Sequence, residues 1–349
     1  MKKVMVGMSG GVDSSTAAAM LIEKGYEVCG VTLDLLGEKS NSAISDAKKV
    51  ADKLGIKHYV LSLKDEFKSN VIDYFVNEYQ NGRTPNPCVM CNPTIKFGKM
   101  LDFAIENGCD YVATGHYANI IYDENYERWT IKKSKSTKDQ SYFLYKLSQY
   151  QLSHTLFPIG DYEKTYVREL AKKYDLPVAN KSESQDICFI KNISPAQFIV
   201  NHTGQLPEIG NFKDVSGNVL GTHKGITNYT VGQRKGLGIA LGTPAYVSGI
   251  NSEENSIILS DLEHGKRSEI FATDVNFPLY EKIPDKIRAL AKIRYRAQPV
   301  PCNIYYIDEN KVKIEFDSEI YFPAPGQSVV FYTDDNLLLG GGVIAKLSF

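Results

Sequence analysis

Apolar and polar positions keep two rhythms over roughly the first 190 residues. Lys3 to Gly7 is a short apolar run, followed by a glycine-rich turn and then by Ser14 to Lys24, whose alanine-rich face recurs at helical spacing. Tyr26 to Leu33 predicts a second strand and Ser45 to Leu54 a second helix. His58 to Leu61 predicts a third strand, and Tyr111 to Thr114 a fourth that runs into another glycine. Residues 62–80 carry a long helical pattern. Strand, helix, strand at this spacing is the βαβ unit, and such units stack as a parallel sheet with helices on both faces. Asn81 to Pro87 holds two prolines, each without an N–H to donate, so it reads as a structured loop.

After about residue 200 the texture changes. Gly210, Gly217, Gly221, Gly225, Gly232, Gly236, Gly238 and Gly242 punctuate short segments, and Ile304–Ile307, Val312–Phe316 and Val329–Phe331 read as strands. The expected organisation is an α/β domain over 1–200, a central β-rich domain over 201–270 and a C-terminal, barrel-like β domain over 271–349. The central and C-terminal parts are expected to be antiparallel.

Composition narrows the class. With 43% apolar and 23% charged residues the chain is not mostly disordered. Forty basic residues against forty-one acidic ones give a net charge of -1, so any affinity for nucleic acid must be local. No apolar run approaches the ~20 residues of a membrane helix. The first residues, interrupted by glycines and Asp13, do not make a signal peptide. Six cysteines are too few for a disulfide scaffold, and the expectation is a cytoplasmic protein with reactive thiols and no membrane partner.

Three features carry candidate chemistry. Ser9-Gly10-Gly11-Val12-Asp13-Ser14-Ser15 lies between a predicted strand and helix, where backbone N–H groups and the helix dipole favour an anion. It lacks the lysine of the Walker motif and the third glycine of the dinucleotide fingerprint; the competing reading, a plain glycine turn with a serine cap, is disfavoured by the strand–loop–helix context. Cys88 and Cys91 form a CxxC in a proline-bounded loop, which fits a redox dithiol or half of a zinc or iron–sulfur site. Cys188, between apolar neighbours, reads by pattern as a buried structural thiol, as do Cys29, Cys109 and Cys302. Arg128, Lys132, Lys133, Lys135 and Lys138 form one acid-free basic run, and Arg288, Lys292, Arg294 and Arg296 another. Lys292, Arg294 and Arg296 would share one face of a strand, as a solvated stripe or as phosphate contacts.

Taken in order, further motifs span almost the whole chain: Gly82-Arg83-Thr84-Pro85-Asn86-Pro87, Cys91-Asn92 with Ile95-Lys96-Phe97, Ala113-Thr114-Gly115-His116-Tyr117, and Lys138-Asp139-Gln140-Ser141-Tyr142-Phe143-Leu144. Ile187-Cys188-Phe189-Ile190, Gly232-Gln233-Arg234-Lys235-Gly236-Leu237-Gly238, Arg294-Tyr295-Arg296 and Pro325-Gly326-Gln327 follow. With the Ser9–Ser15 loop they resemble the bacterial tRNA-specific 2-thiouridylases, a family of N-type ATP pyrophosphatases. The resemblance implies ATP-dependent 2-thiolation of the wobble uridine of tRNA: adenylation makes the C2 oxygen a leaving group, and persulfide sulfur displaces it. It implies Cys188 as the persulfide carrier and Cys91 as its partner, ending in a Cys91–Cys188 disulfide that must be reduced. ATP with Mg²⁺ would sit on Gly7, Met8, Ser9, Gly10, Gly11, Val12, Asp13 and Ser14, with Leu33 and Gly115 at the adenosine. Leu33 stands where methionine is common.

By the same resemblance Asn86, Pro87 and Cys88 lie against the target base. Lys138, Asp139, Gln140, Arg294 and Tyr295 contact tRNA, and His116 and Gln327 help position it. Implied partners are tRNA with a wobble uridine and a cysteine desulfurase or sulfur carrier. Many members have aspartate in place of Cys88, as a general acid/base. Three thiols also admit a [4Fe–4S] cluster, the less favoured arrangement. The competing functions are an argininosuccinate-synthetase-like ligase and a non-catalytic tRNA-binding protein. The segment from Lys181 to Cys188 is expected to close over the base.

Overall fold

The computed structural model describes residues 1–182, 187–239 and 242–346; residues 183–186 of the expected closing segment lie outside them. The first part alternates β1 (Lys3–Gly7), α1 (Val12–Glu23), β2 (Glu27–Asp34), α2 (Asn41–Leu54) and β3 (His58–Ser62). Two long helical stretches follow, each widened by a π segment. The first joins α3 (Lys64–Phe67) through Lys68–Ile72 to α4 (Asp73–Gln80). The second joins α5 (Pro87–Cys91) through Asn92–Lys99 to α6 (Met100–Glu106). Next come β4 (Tyr111–Ala113), a hairpin of β5 (Ala118–Asp123) and β6 (Arg128–Lys133), α7 (Gln149–Ser153), β7 (Thr155–Leu156), α8 (Lys164–Lys173) and α9 (Pro195–Thr203).

Strands β3-β2-β1-β4-β7 form one sheet in that order, every pair parallel, as the alternation predicts. Parallel sheets are covered on both faces, which is why β1 is nearly all apolar. Val4 and Val6 point to one core with Ala17, Ala18 and Val50, while Met5 points to the other with Met100, Leu101 and Ala104. The chain leaves β1 toward β2 and returns on the opposite side of β1 as β4. The carboxyl ends of β1 and β4 therefore flank a topological switch point, where ligands of open sheets bind.

The central body is the sheet β10-β11-β8-β9, made of β8 (Gly210–Lys213), β9 (Val219–His223), β10 (Tyr246–Asn251) and β11 (Ser256–Ser260). It departs from the antiparallel expectation, since β11 and β8 run parallel. The last body is a closed antiparallel barrel, β12-β15-β14-β13-β16-β17, built of β12 (Lys266–Asn276), β13 (Lys286–Lys292), β14 (Val300–Asp308), β15 (Lys311–Tyr321), β16 (Ser328–Tyr332) and β17 (Leu338–Ile344). The barrel is not a loose appendage. Val330, Tyr332 and Leu338 share a core with Tyr142 and Tyr145 of the first body, and the Tyr142 hydroxyl donates to the Ser328 carbonyl at 2.7 Å.

Candidate active site

The loop after β1 is shaped before any ligand arrives. Gly10 turns with φ +65°, against the backbone of Ala43. The Ser9 amide donates to Ser14 Oγ (3.2 Å), and the Ser15 hydroxyl donates to the Gly11 carbonyl (2.8 Å). Gly11 caps α1 without a side-chain hydrogen bond, and a Cβ built there meets only Ser9 Oγ, at 3.4 Å. The loop thus presents uncapped N–H groups to open space, the local requirement for a phosphate. Across the switch point, Gly115 packs on the loop so closely that a Cβ would lie 2.7 Å from the Asp13 carbonyl carbon. Gly7 and Met8 at the end of β1, and Leu33 at the end of β2, complete the same rim.

Two lysines distant in sequence join this loop, and sequence reasoning did not find them. Lys164, at the start of α8, pairs with both Asp13 carboxylate oxygens at 2.6 and 2.7 Å. Lys181 donates to the Gly10 carbonyl (2.9 Å) and to Asp46 (2.7 Å). Nothing local marks either residue; the fold carries them across more than 150 residues.

Asn86 caps α5 by accepting the Cys88 amide at 3.2 Å, and Pro87 takes the first helical position, where its missing N–H costs nothing. Cys88 and Cys91, three apart, then share one helix face. Cys91 is buried in a core that also contains Phe189 and Ile190. Phe189 docks edge-on against Phe67 and Phe75. Cys188, beside it, stays exposed, which corrects the reading of a buried structural thiol: its apolar neighbours turn inward and the thiol turns out. Cys29, Cys109 and Cys302 are buried, and all six cysteines are free.

Burial pushes Cys91 up to about 12 and raises Cys88 and Cys188 as well; Cys188 and Cys88 also raise Cys91. Cys88 and Cys188 keep accessible surface, so both stay open to reagents from solvent. The Lys96 ammonium opposes the rise at all three thiols. Lys96 also lies 3.5 Å from His116 Nε2. His116 is buried between Phe97 and Phe157, with Nδ1 2.6 Å from the Thr114 hydroxyl, and desolvation followed by Lys96 lowers its pKa well below the ordinary value. His116 therefore stands beneath the surface, where it orients Lys96. Among the described residues no group of three or more His, Cys, Asp or Glu side chains is placed to hold a metal ion.

The two basic runs converge. Lys133 lies over the Tyr332 ring (4.2 Å) and Lys292 over the Tyr295 ring (5.7 Å), and each is lowered chiefly by burial; at Lys292 the Lys133 charge adds to it. Tyr295 also packs on Phe143, with ring centroids 4.6 Å apart. The expected shared face of Lys292, Arg294 and Arg296 does not form, because β13 ends at Lys292. Arg294 instead reaches inward, donating to the carbonyls of Val231 (3.2 Å) and Phe322 (2.6 Å). Asp139 accepts the Ser134 amide and the Ser141 hydroxyl, which shapes the turn that carries Lys138 and Gln140. Gln327 donates to the Thr84 carbonyl (2.7 Å) and the Thr84 amide to the Pro325 carbonyl (2.8 Å), so barrel residues pin the loop that leads to Cys88.

Residues 2–192 match the family described as tRNA methyl transferase HUP domain, 196–261 the tRNA methyl transferase PRC-barrel domain and 267–344 the aminomethyltransferase beta-barrel domain. The chain is 49% identical over 356 residues to the tRNA-specific 2-thiouridylase MnmA of Clostridioides difficile (strain 630), covering 99% of this chain and 98% of that one. It is 50% identical over 357 residues to MnmA 2 of Clostridium botulinum (strain Okra / Type B1), covering 99% of each. Among solved structures, a 4-thiouridine synthetase–RNA complex with bound ATP is 17% identical with a TM-score of 0.35, covering 54% of this chain and 45% of that one.

Proposed function

Because this chain belongs to the tRNA-specific 2-thiouridylase family, we propose that it replaces the C2 oxygen of a tRNA wobble uridine with sulfur at the expense of ATP. The observation that carries the reading is the phosphate-shaped loop packed on the end of β4, whose next residue, His116, meets Lys96, a lysine whose charge favours all three thiolates. Asp13 touches Gly115, His116 follows Gly115, Lys96 touches His116, and Lys96 bears on Cys88, Cys91 and Cys188. Methyl transfer, the reaction named in two of the matched family descriptions, has no use for a phosphate loop beside paired thiols.

In the proposed sequence the uridine C2 oxygen attacks the α-phosphorus and pyrophosphate leaves. The terminal sulfur of a Cys188 persulfide attacks C2 and AMP departs with the oxygen. Cys91 then attacks the Cys188 sulfur, the C2–S bond stays with the base, and a Cys91–Cys188 disulfide remains for an external thiol to reduce. Exposed Cys188 suits loading by a cysteine desulfurase or a sulfur carrier, whereas buried Cys91 suits a resolving thiol shielded from solvent. Lys164, Lys181 and the α1 N–H groups suit the polyphosphate. Mg²⁺ binds through one or two carboxylates plus phosphates, and Asp13 would supply such a carboxylate once polyphosphate draws Lys164 away; the ion would help neutralise the departing pyrophosphate. The Lys133–Lys292–Tyr295 patch and the Lys138–Gln140 turn suit the RNA backbone and an unpaired base. The three bodies would act as the expected domains, the first catalytic, and the protein would work in the cytoplasm alongside tRNA.

The test is nucleoside analysis of bulk tRNA from a strain lacking this protein, restored with the parent or with Cys188→Ser. Loss of 2-thiouridine derivatives, regained only with the parent, is expected. Unchanged 2-thiouridine in the deletion strain refutes the function.

A further inference from the structure

Asp13 is held from two sides, and both supports lead to the same remote segment. The Tyr117 hydroxyl donates to Asp13 at 2.8 Å. The Tyr117 backbone is in turn fastened to Gln140: the Tyr117 amide donates to Gln140 Oε1 at 3.0 Å, and the Gln140 amide donates to the Tyr117 carbonyl at 2.7 Å. On the other side Lys164 pairs with Asp13. Its neighbour Glu163 accepts the Ser136 hydroxyl and the Thr137 amide, each at 3.1 Å. Segment 136–140 is therefore bonded, through Tyr117 and through Glu163–Lys164, to the carboxylate of the nucleotide loop. Tyr117 and Ser136 are 3% and 5% exposed, so water does not readily replace these bonds.

We propose that Tyr117 is a positioning residue that couples RNA docking on segment 138–140 to the state of Asp13, so that tRNA and nucleotide each tighten the binding of the other. The inference rests on the function proposed above and adds its internal wiring. A shift of Gln140 when RNA docks moves the main chain of Tyr117 at both its amide and its carbonyl, and the phenol transmits that shift to Asp13. The element with two arrangements is the Asp13–Lys164 pair. With no nucleotide the ammonium sits on the carboxylate; with polyphosphate present the anion competes for Lys164, and Tyr117 keeps Asp13 in place. Coupling of binding energies is reciprocal by thermodynamic necessity, so the factor read from tRNA binding must equal the factor read from nucleotide binding, and each measurement checks the other.

The experiment measures the dissociation constant of unmodified tRNA with and without α,β-methylene-ATP, and of the analogue with and without tRNA. It uses the full chain as parent, Tyr117→Phe and, as a second variant that leaves the phenol in place, Glu163→Gln. The parent is expected to show a coupling factor of about fivefold or more in both directions. Tyr117→Phe should bring that factor below about twofold while leaving each single-ligand constant within about threefold of the parent, a separation that a merely structural role would not produce. Glu163→Gln should reduce the coupling less, because Tyr117 bonds Asp13 directly whereas Glu163 reaches it only through its neighbour Lys164. A parent that binds both ligands without coupling overturns this inference and leaves the function standing, as does Tyr117→Phe with the parent's factor. A parent that binds neither ligand overturns both.

Discussion

Replacing Gly115 by alanine tests whether the nucleotide loop and the end of β4 form one machined contact. The new β-carbon would lie 2.7 Å from the Asp13 carbonyl carbon, 2.8 Å from Asp13 Cβ and 2.8 Å from the Ser14 amide nitrogen. Carbon atoms rest at about 3.5–4.0 Å, so the start of α1 must retreat by about 0.8 Å. The obstructing atoms are mostly backbone, and no flexible side-chain tip can give way in their stead. Overpacking of this kind costs about 1–3 kcal/mol, which a domain stable by about 5–15 kcal/mol survives. Chemistry is less forgiving, since a displacement near 1 Å costs about 100-fold in rate. Gly115→Ala is therefore expected to fold, to melt a few degrees lower and to release AMP from ATP about 100-fold more slowly with tRNA present. AMP release within about threefold of the parent, at an unchanged melting temperature, would refute the reasoning.

Other consequences follow from the same geometry. His116, His58 and His223 all have lowered pKa values, chiefly through burial, against an ordinary 6.5. Below that value the unfolded chain takes up protons the folded one resists, so stability is full above about pH 6.5 and falls with pH by up to about 1.4 kcal/mol per unit per histidine. Thermal melts from pH 7.5 to 5 should show this fall, and His116→Phe should make it shallower; identical slopes would count against a neutral buried His116. Lys96→Gln removes the cation that favours the thiolates, so iodoacetamide labelling of Cys188 at pH 8 should slow by about tenfold, and equal rates would exclude Lys96 as their support. Anaerobically purified protein is expected to be iron-free, with Cys88→Asp still active in thiolation. Stoichiometric iron in the parent, lost together with activity in Cys88→Asp, would instead establish a cluster.

What the sequence reveals divides along the range of the interaction. The β1–loop–α1 unit is legible because glycines, serines and an alanine-rich helix lie within about 20 residues and obey local rules. Lys164 and Lys181 are invisible by the same logic, because nothing near them announces the Asp13 carboxylate or the Gly10 carbonyl they meet. Alternation misleads at Lys292-Ile293-Arg294-Tyr295-Arg296, where a strand pattern runs on past the end of the strand. Arg294 leaves the sheet because two carbonyls, at Val231 and Phe322, need a donor between bodies. Cys188 misleads differently: apolar neighbours suggest burial of the whole segment, but in a turn Phe189 goes in and Cys188 goes out. The parallel pairing of β11 with β8 is a topological fact that short glycine-bounded runs cannot encode.

The bonds from Pro325 and Gln327 to Thr84 also impose an order in time. Gln327 follows Thr84 by 243 residues, which a ribosome adding about 5–20 residues per second takes roughly 12 to 50 s to make. All five strands of the parallel sheet are made once β7 is complete, early in that interval. The loop ahead of Cys88 acquires its barrel contacts only when the last strands arrive. A growing chain would thus hold its nucleotide cradle before its sulfur site is fixed, so a chain cut short of the barrel could keep a nucleotide with no base positioned beside it.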